Sequence, residues 1–184
     1  MTKSIRLSLD AMGGDNAPYI IVDGAAQTKI RHPYVKFSFF GNKIKLLPLI
    51  NSSEVLKGSE IVHTDEFVDA NEKPSIAVRK GRNSSMGMAI QSVKSGKADA
   101  IVSAGNTGAL MAMAKLFLRP IDGINRPAIA AYFPTITGES CMLDLGANID
   151  CDAKNLVQFA FMGQAFANIV MGVDNPSISL LNIG

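Results

Sequence analysis

The chain has 184 residues, 47% hydrophobic and 18% charged, with a formal net charge of +2. That length supports a real core, and a charged fraction below the roughly 25% usual for soluble domains implies extensive burial. The near-neutral balance excludes a general nucleic-acid binder, and two cysteines, Cys141 and Cys151, provide neither a disulfide framework nor a zinc spacing.

Apolar, β-branched runs alternate with helical patterns along the chain. Ile5–Asp10 reads as the first strand, and Ala17–Ile30 as a helix following Pro18. Val35–Gly41 is a second strand, Lys43–Ile50 a helix, and Glu60–His63 a short strand. Lys73–Lys94 is helical with a break around Gly81. Ala98–Ser103 is a strand, and Thr107–Leu118 a helix closed by Arg119 and Pro120. Ala128–Phe133 and Cys141–Leu145 read as two strands around a turn at Pro134–Gly138, a candidate antiparallel hairpin. Ala153–Met171 is a long helix and Ser177–Ile183 a last strand. The alternation predicts an α/β fold, doubly wound on a mostly parallel sheet, with residues 1–184 forming a single α/β region. The chain stops at a strand exit with no helix to cover it, so it is expected to be a fragment or one half of a larger fold.

The N-terminus runs straight into a strand without the apolar region of a signal peptide, which points to a cytosolic, reducing compartment. Between Lys154 and Asp174 there is no charge, nearly the length of a membrane span. Asn155, Gln158, Gln164 and Asn168 interrupt it, and a buried helix, at a dimer interface for example, is the better reading.

Ser103-Ala-Gly-Asn-Thr-Gly-Ala-Leu110 is a strand exit that opens a helix. The free N–H groups of a first helical turn point outward and favour negative charge. Gly108 lets a ligand approach the backbone, and the hydroxyls of Ser103 and Thr107 offer donors. Asp10-Ala-Met-Gly-Gly-Asp-Asn-Ala-Pro18 repeats the design at another strand end. There Gly13 and Gly14 bring backbone close to a ligand, and Asp15 and Asn16 can cap the helix that follows. Asp10, at the end of a buried strand, needs a partner. Strand ends carry ligands in open α/β sheets, and Gly146-Ala-Asn-Ile-Asp150 is a third such loop, so three loops are expected on one rim. The cations Arg79, Lys80 and Arg82 precede a hydroxyl pair, Ser84 and Ser85. They suit either an acidic partner or a solvated basic face. Asp144 and Asp150 lack the spacing of a metal site, and the methionines Met86, Met88, Met111, Met113 and Met162 read as core filling. Neither a nucleophile elbow nor a Walker loop is present, and neither His32 nor His63 has a visible partner.

Taken in order, Asp10-Ala-Met-Gly-Gly-Asp-Asn-Ala-Pro18, Asn83-Ser-Ser-Met86, Ser103-Ala-Gly-Asn-Thr-Gly-Ala-Leu110, Arg126-Pro-Ala128, Leu143-Asp-Leu-Gly-Ala-Asn148, Gln158-Phe-Ala160 with Met162-Gly163, and Leu180-Leu-Asn-Ile-Gly184 resemble the bacterial phosphate acyltransferase family from end to end. The resemblance implies a fold like that of phosphotransacetylases and isopropylmalate dehydrogenases. It implies synthesis of acyl phosphate from acyl-acyl carrier protein and inorganic phosphate, in phospholipid synthesis, with no cofactor and no metal. It also implies a homodimer that is cytoplasmic and touches the membrane peripherally, through a C-terminal half beyond Gly184. Catalytic roles then fall to Asn106, Thr107 and Asp10. Phosphate and substrate contacts fall to Gly13, Gly14, Asp15, Ser103, Gly108 and Asn148, and carrier-protein contacts to Arg79, Lys80 and Arg82. An acyl-CoA-dependent relative, a dehydrogenase of the same fold, and a non-catalytic phosphate-binding or dimerisation half stay open as alternatives.

Overall fold

A computed structural model of the chain describes residues 4–136 and 138–182. The residues cluster into two compact units, Met1–Arg119 and Pro120–Gly184.

The first unit is built on four parallel strands, β1 (Ile5–Asp10), β2 (Val35–Gly41), β3 (Glu60–His63) and β4 (Ala100–Val102), in the order β3-β2-β1-β4. Alternation along β1 decides which face each side chain takes. Leu7 and Leu9 join Val35, Phe37 and Phe39 against α1 (Tyr19–Arg31) and α2 (Lys43–Ser52), the first apolar cluster. Ser8 and Asp10 point the other way, toward α4 (Ser85–Lys94), and the Ser8 hydroxyl donates to the Ala89 carbonyl at 3.0 Å. A second cluster holds Val68, Ala77, Met86, Ile90, Ala109 and Met113, between α3 (Pro74–Lys80), α4 and α5 (Thr107–Leu118).

The expected helix over Lys73–Lys94 is broken where the glycine predicted it. Gly81–Asn83 form a 3-10 turn, and Ser84 then caps α4 by accepting from the Gly87 N–H at 3.1 Å. Gly87 has no alternative, because a Cβ there would lie 2.0 Å from the Gly81 carbonyl oxygen. Two expectations fail here: His63, read as having no partner, accepts from the Lys43 N–H at 3.2 Å and lies 3.6 Å from Asp65, and the helix cap expected before α1 is not formed by a side chain. The N-cap of α1 is Pro18, with no side-chain cap, so neither Asp15 nor Asn16 caps that helix.

The second unit pairs β5 (Ala131–Thr135) antiparallel with β6 (Gly138–Met142), followed by α6 (Ala153–Val170). The hairpin is as expected, but Pro134 and Gly138 lie within the strands rather than in the turn. A two-stranded ribbon is all edge, where proline is tolerated. α6 opens with a reciprocal capping box between Asp152 and Asn155, and buried Gln158 accepts from the Asn125 N–H at 2.9 Å. Of the amides that interrupt the uncharged run, Asn155, Gln158 and Asn168 thus have structural partners. Among the described residues no helix is long and apolar enough to cross a membrane. The last expected strand, Ser177–Ile183, is not formed over 177–182, and Ile183 lies outside the described residues. A strand needs a ladder, and among the described residues this unit's only one joins β5 to β6.

Candidate functional site

In the strand order β3-β2-β1-β4 the chain winds outward from β1 on one side, then returns to its other side. The reversal falls between β1 and β4. Open α/β sheets leave a crevice there, beyond the carboxyl ends of the strands. Both glycine-rich loops leave from those two strands. They meet backbone against backbone: an added Cβ on Gly105 would come within 3.2 Å of the Gly13 Cα, and one on Gly14 within 3.0 Å of the Ala104 carbonyl oxygen. Gly14 has φ of +102°, a conformation that a side chain would strain.

Asp10 ties the loops together. Its carboxylate is 1% exposed, and both oxygens accept from hydroxyls, Oδ1 from Ser85 Oγ at 2.5 Å and Oδ2 from Ser103 Oγ at 2.7 Å. The partner that a buried strand-end acid needs is therefore a pair of serines from two other elements. A Cβ on Gly13 would lie 2.4 Å from Asp10 Oδ2, so only glycine fits over the carboxylate. Ser103 has one hydroxyl proton, and Asp10 takes it. The Ser103 oxygen in turn accepts from the Gly105 N–H at 3.1 Å. Its proton is thus directed inward, to the loop's own scaffold.

Asn106 is committed in a similar way. Its Oδ1 caps α5 by accepting from the Ala109 N–H at 2.9 Å. Its Nδ2 meets the carbonyls of Asp69, Ala70 and Glu72 at 3.3, 3.0 and 2.8 Å, fastening the segment that leads into α3. Helix geometry leaves the N–H groups of Thr107 and Gly108 without intrahelical acceptors. Both residues are exposed, and they present two donors and a hydroxyl at the positive end of the α5 dipole. Gly108 also sits against Pro74, whose Cγ would lie 3.0 Å from an added Cβ.

The remaining expected residues are placed as follows. Asp15 is exposed in the loop after Gly14. Arg79 and Lys80 occupy the last turn of α3 and Arg82 the 3-10 turn; all three are exposed, and none is in an ion pair among the described residues. The loop 146–150 belongs to the second unit. There Asn148 donates to Asp144 Oδ2 through its N–H at 2.7 Å and its Nδ2 at 3.1 Å, and to the Pro127 carbonyl at 2.9 Å. Burial opposes ionisation of Asp144. Hydrogen bonds from Ile129, Asn148 and Ala147 outweigh it and hold the carboxyl below its usual range. Burial pushes the Cys141 thiol up, which disfavours the thiolate that nucleophilic chemistry would need. Among the described residues no His, Cys, Asp or Glu group is placed to hold a metal ion.

Ser85 is the residue whose part at this site the sequence did not reveal. Its signal was the doubled serine before α4: one hydroxyl suffices for the cap, and the other is left for another role.

The arrangement defines an α/β protein with a crevice between two glycine-rich loops at a topological switch point. Residues 5–184 match the family described as fatty acid synthesis protein, and the chain belongs to that family. It is 49% identical over 185 residues to the phosphate acyltransferase of Paramagnetospirillum magneticum, covering 100% of this chain and 53% of that protein. It is 51% identical over 185 residues to the phosphate acyltransferase of Rhodospirillum centenum, covering 100% of this chain and 52% of that protein. The chain thus spans about half the length of the curated relatives it matches. The phosphotransacetylase EutD of Staphylococcus aureus shares the fold, with a TM-score of 0.64 at 17% identity over 93% of this chain and 55% of that one.

Proposed function

We propose that the protein carrying this chain transfers the acyl group of acyl-acyl carrier protein to inorganic phosphate, releasing acyl phosphate and free carrier for phospholipid synthesis. The observation that carries this reading is the crevice between β1 and β4, where two glycine loops pack around Asp10 beside the unpaired N–H groups of Thr107 and Gly108.

The chemistry asks little covalent help from the protein. A phosphate oxygen attacks the thioester carbon, the carbon–sulfur bond breaks, and the proton on the attacking phosphate ends on the departing thiol. The nucleophile is already anionic and the leaving group is good, so an enzyme nucleophile is unnecessary. Positioning is what remains, and it can supply roughly 7–11 kcal/mol in the best cases. In this reading Thr107 and Gly108 hold the phosphate, while Gly13, Gly14 and Asp15 form the adjoining wall. Asp10 and Ser103 act as positioning residues through the loop they brace, Asn106 through the helix start, and Asn148 through its own turn. Exposed Arg79, Lys80 and Arg82 attract the acidic carrier. A cytoplasmic homodimer in peripheral contact with the membrane, through segments beyond Gly184, belongs to the same proposal and rests on the family resemblance.

The test is phosphate-dependent release of free carrier from acyl-carrier by the full-length polypeptide. Thr107→Val is expected to raise the KM for phosphate several-fold. Reversing Arg79, Lys80 and Arg82 is expected to raise the KM for carrier and flatten its salt dependence. Release that does not depend on phosphate sinks the proposal, and nicotinamide-dependent turnover would favour the dehydrogenase instead. Gly108→Val is a poor probe, since its side chain would meet Pro74 whatever the ligand does.

A further inference from the structure

Parallel strands begin at one end of a sheet and finish at the other. The glycine loops occupy the finishing end. At the starting end lies a second cleft, of about 410 Å³, lined among others by Arg6, Lys29, Lys36, Lys57, Lys97 and Glu60. Arg6 stands near the start of β1, and Asp10 lies four residues further on, roughly 13 Å along the strand. The cleft is therefore separate from the crevice described above.

Five cations and one carboxylate, Glu60, line the cleft; with Asp99 paired to Arg6 and Glu54 near Lys57 at its edge, the cleft still keeps an excess of two positive charges. Two of the cations are held in place. Arg6 donates to Asp99 through Nε at 3.2 Å and Nη2 at 2.7 Å, and through Nη1 to the Gly96 carbonyl at 2.8 Å. A guanidinium has five N–H groups, so two remain for a ligand. Lys29 donates to the carbonyls of Pro33 and Val35 at 2.8 and 2.6 Å, which leaves one. Lys36 and Lys97 are in no ion pair among the described residues, and Lys57 has only exposed Glu54 at 3.9 Å, a weak competitor. The one lining carboxylate, Glu60, accepts from the Ser38 hydroxyl at 2.6 Å and keeps its charge, which offsets one of the cations.

The spacing selects the ligand. Arg6 and Lys36 face each other across neighbouring strands, and Lys57 stands just before β3, one strand further. Strands lie roughly 4.8 Å apart, so the backbones that carry these cations are spread over about 10 Å. A single phosphate would need the flexible lysines to converge on it, whereas a chain of two or three meets each cation near its own strand. We propose that this cleft binds a small anion carrying a diphosphate or triphosphate group. Condensed inorganic phosphate and nucleoside diphosphates share that chemistry.

The proposal is independent of the acyl-transfer reading, and calorimetry on the full-length polypeptide tests it with tripolyphosphate and ADP as probes. Tripolyphosphate is expected to bind, more weakly as salt rises. The triple variant Lys36→Glu, Lys57→Glu, Lys97→Glu should lose about tenfold or more in affinity, with Lys36→Gln, Lys97→Gln as the milder version should the triple variant misfold. Thr107→Val, and saturating orthophosphate at constant ionic strength, should leave binding unchanged. ADP binding as tightly as tripolyphosphate would identify a nucleotide site, and binding by tripolyphosphate alone a condensed-phosphate site. No binding by either probe at low salt, unchanged affinity in the folded charge variants, or full competition by orthophosphate would overturn the proposal.

Discussion

Asp10 is held by groups that come from far along the chain. Ser85 is 75 positions away and Ser103 is 93, and each gives Asp10 its only hydroxyl proton. Asp10→Ala would strip the acceptor from Ser85, which is fully buried, and from the oxygen that orients Gly105. A loss of about 1–3 kcal/mol is expected on chemical denaturation, because buried donors left unsatisfied cost their full desolvation. A variant as stable as the parent would show that the network is incidental. Gly13→Ala probes the same point from above. Its Cβ would lie 2.4 Å from Asp10 Oδ2, so a destabilisation of about 1–3 kcal/mol is expected from overpacking. Gly24→Ala is the contrast: it lies mid-helix in α1 with nothing within 4 Å, and should stabilise by roughly 0.5–1 kcal/mol. If the two glycines respond alike, the close approach at Gly13 has no energetic consequence. The need of Asp10 for a partner was legible in the sequence. Which partners it takes was not, since that depends on how α4 lies against the sheet. For the same reason the inward turn of the Ser103 hydroxyl and the capture of Asn106 by residues 69–72 were hidden.

The elements themselves were largely legible, because local signals decide them. β2 and β3 fall where alternation and flanking turns put them, and α5 begins at Thr107, where Asn106 caps it. Errors gather where a partner strand decides the outcome, as at Pro134, Gly138 and residues 177–182. The turn after β6 shows how a loop is held without regular pairing. Asp144 accepts from Ile129 at 2.7 Å and from Asn148 at 2.7 and 3.1 Å, and the Leu145 N–H returns a bond to the Ile129 carbonyl at 3.1 Å. The Asp144 carboxyl titrates below its unfolded value. Its stabilising contribution is therefore complete above the unfolded pKa and is lost as pH falls through the folded one. Through that range the unfolded chain binds more protons, so stability rises with pH. Stability of the parent is expected to drop below about pH 4, and Asp144→Asn should flatten that acid limb while lowering the plateau. Parallel pH profiles for parent and variant would show that the turn does not depend on the charge.

At the scale of the whole chain, residues 1–184 alone are expected not to turn over acyl phosphate. The chain spans about half of its curated relatives, and the phosphotransacetylase that shares its fold is likewise matched over only 55% of its length. The second unit carries strongly exposed apolar side chains. Ile136, Ile149, Ile169 and Leu181 are each more than four-fifths exposed, at 106, 97, 83 and 84%. On α6, Val157 and Phe161 stand one turn apart, and both are over half exposed. Apolar surface of this kind drives association. The isolated 184-residue chain should therefore sediment as larger species as its concentration rises, and should release no carrier above background in the phosphate-dependent assay. Activity that returns when the unmatched half of a curated relative is supplied in trans would show that the crevice between β1 and β4 needs groups that residues 1–184 lack. Full-length-like turnover by monomeric residues 1–184 would overturn this expectation. Thr107, Gly108 and the Asp10-braced loops would then be the whole phosphate site rather than one wall of it.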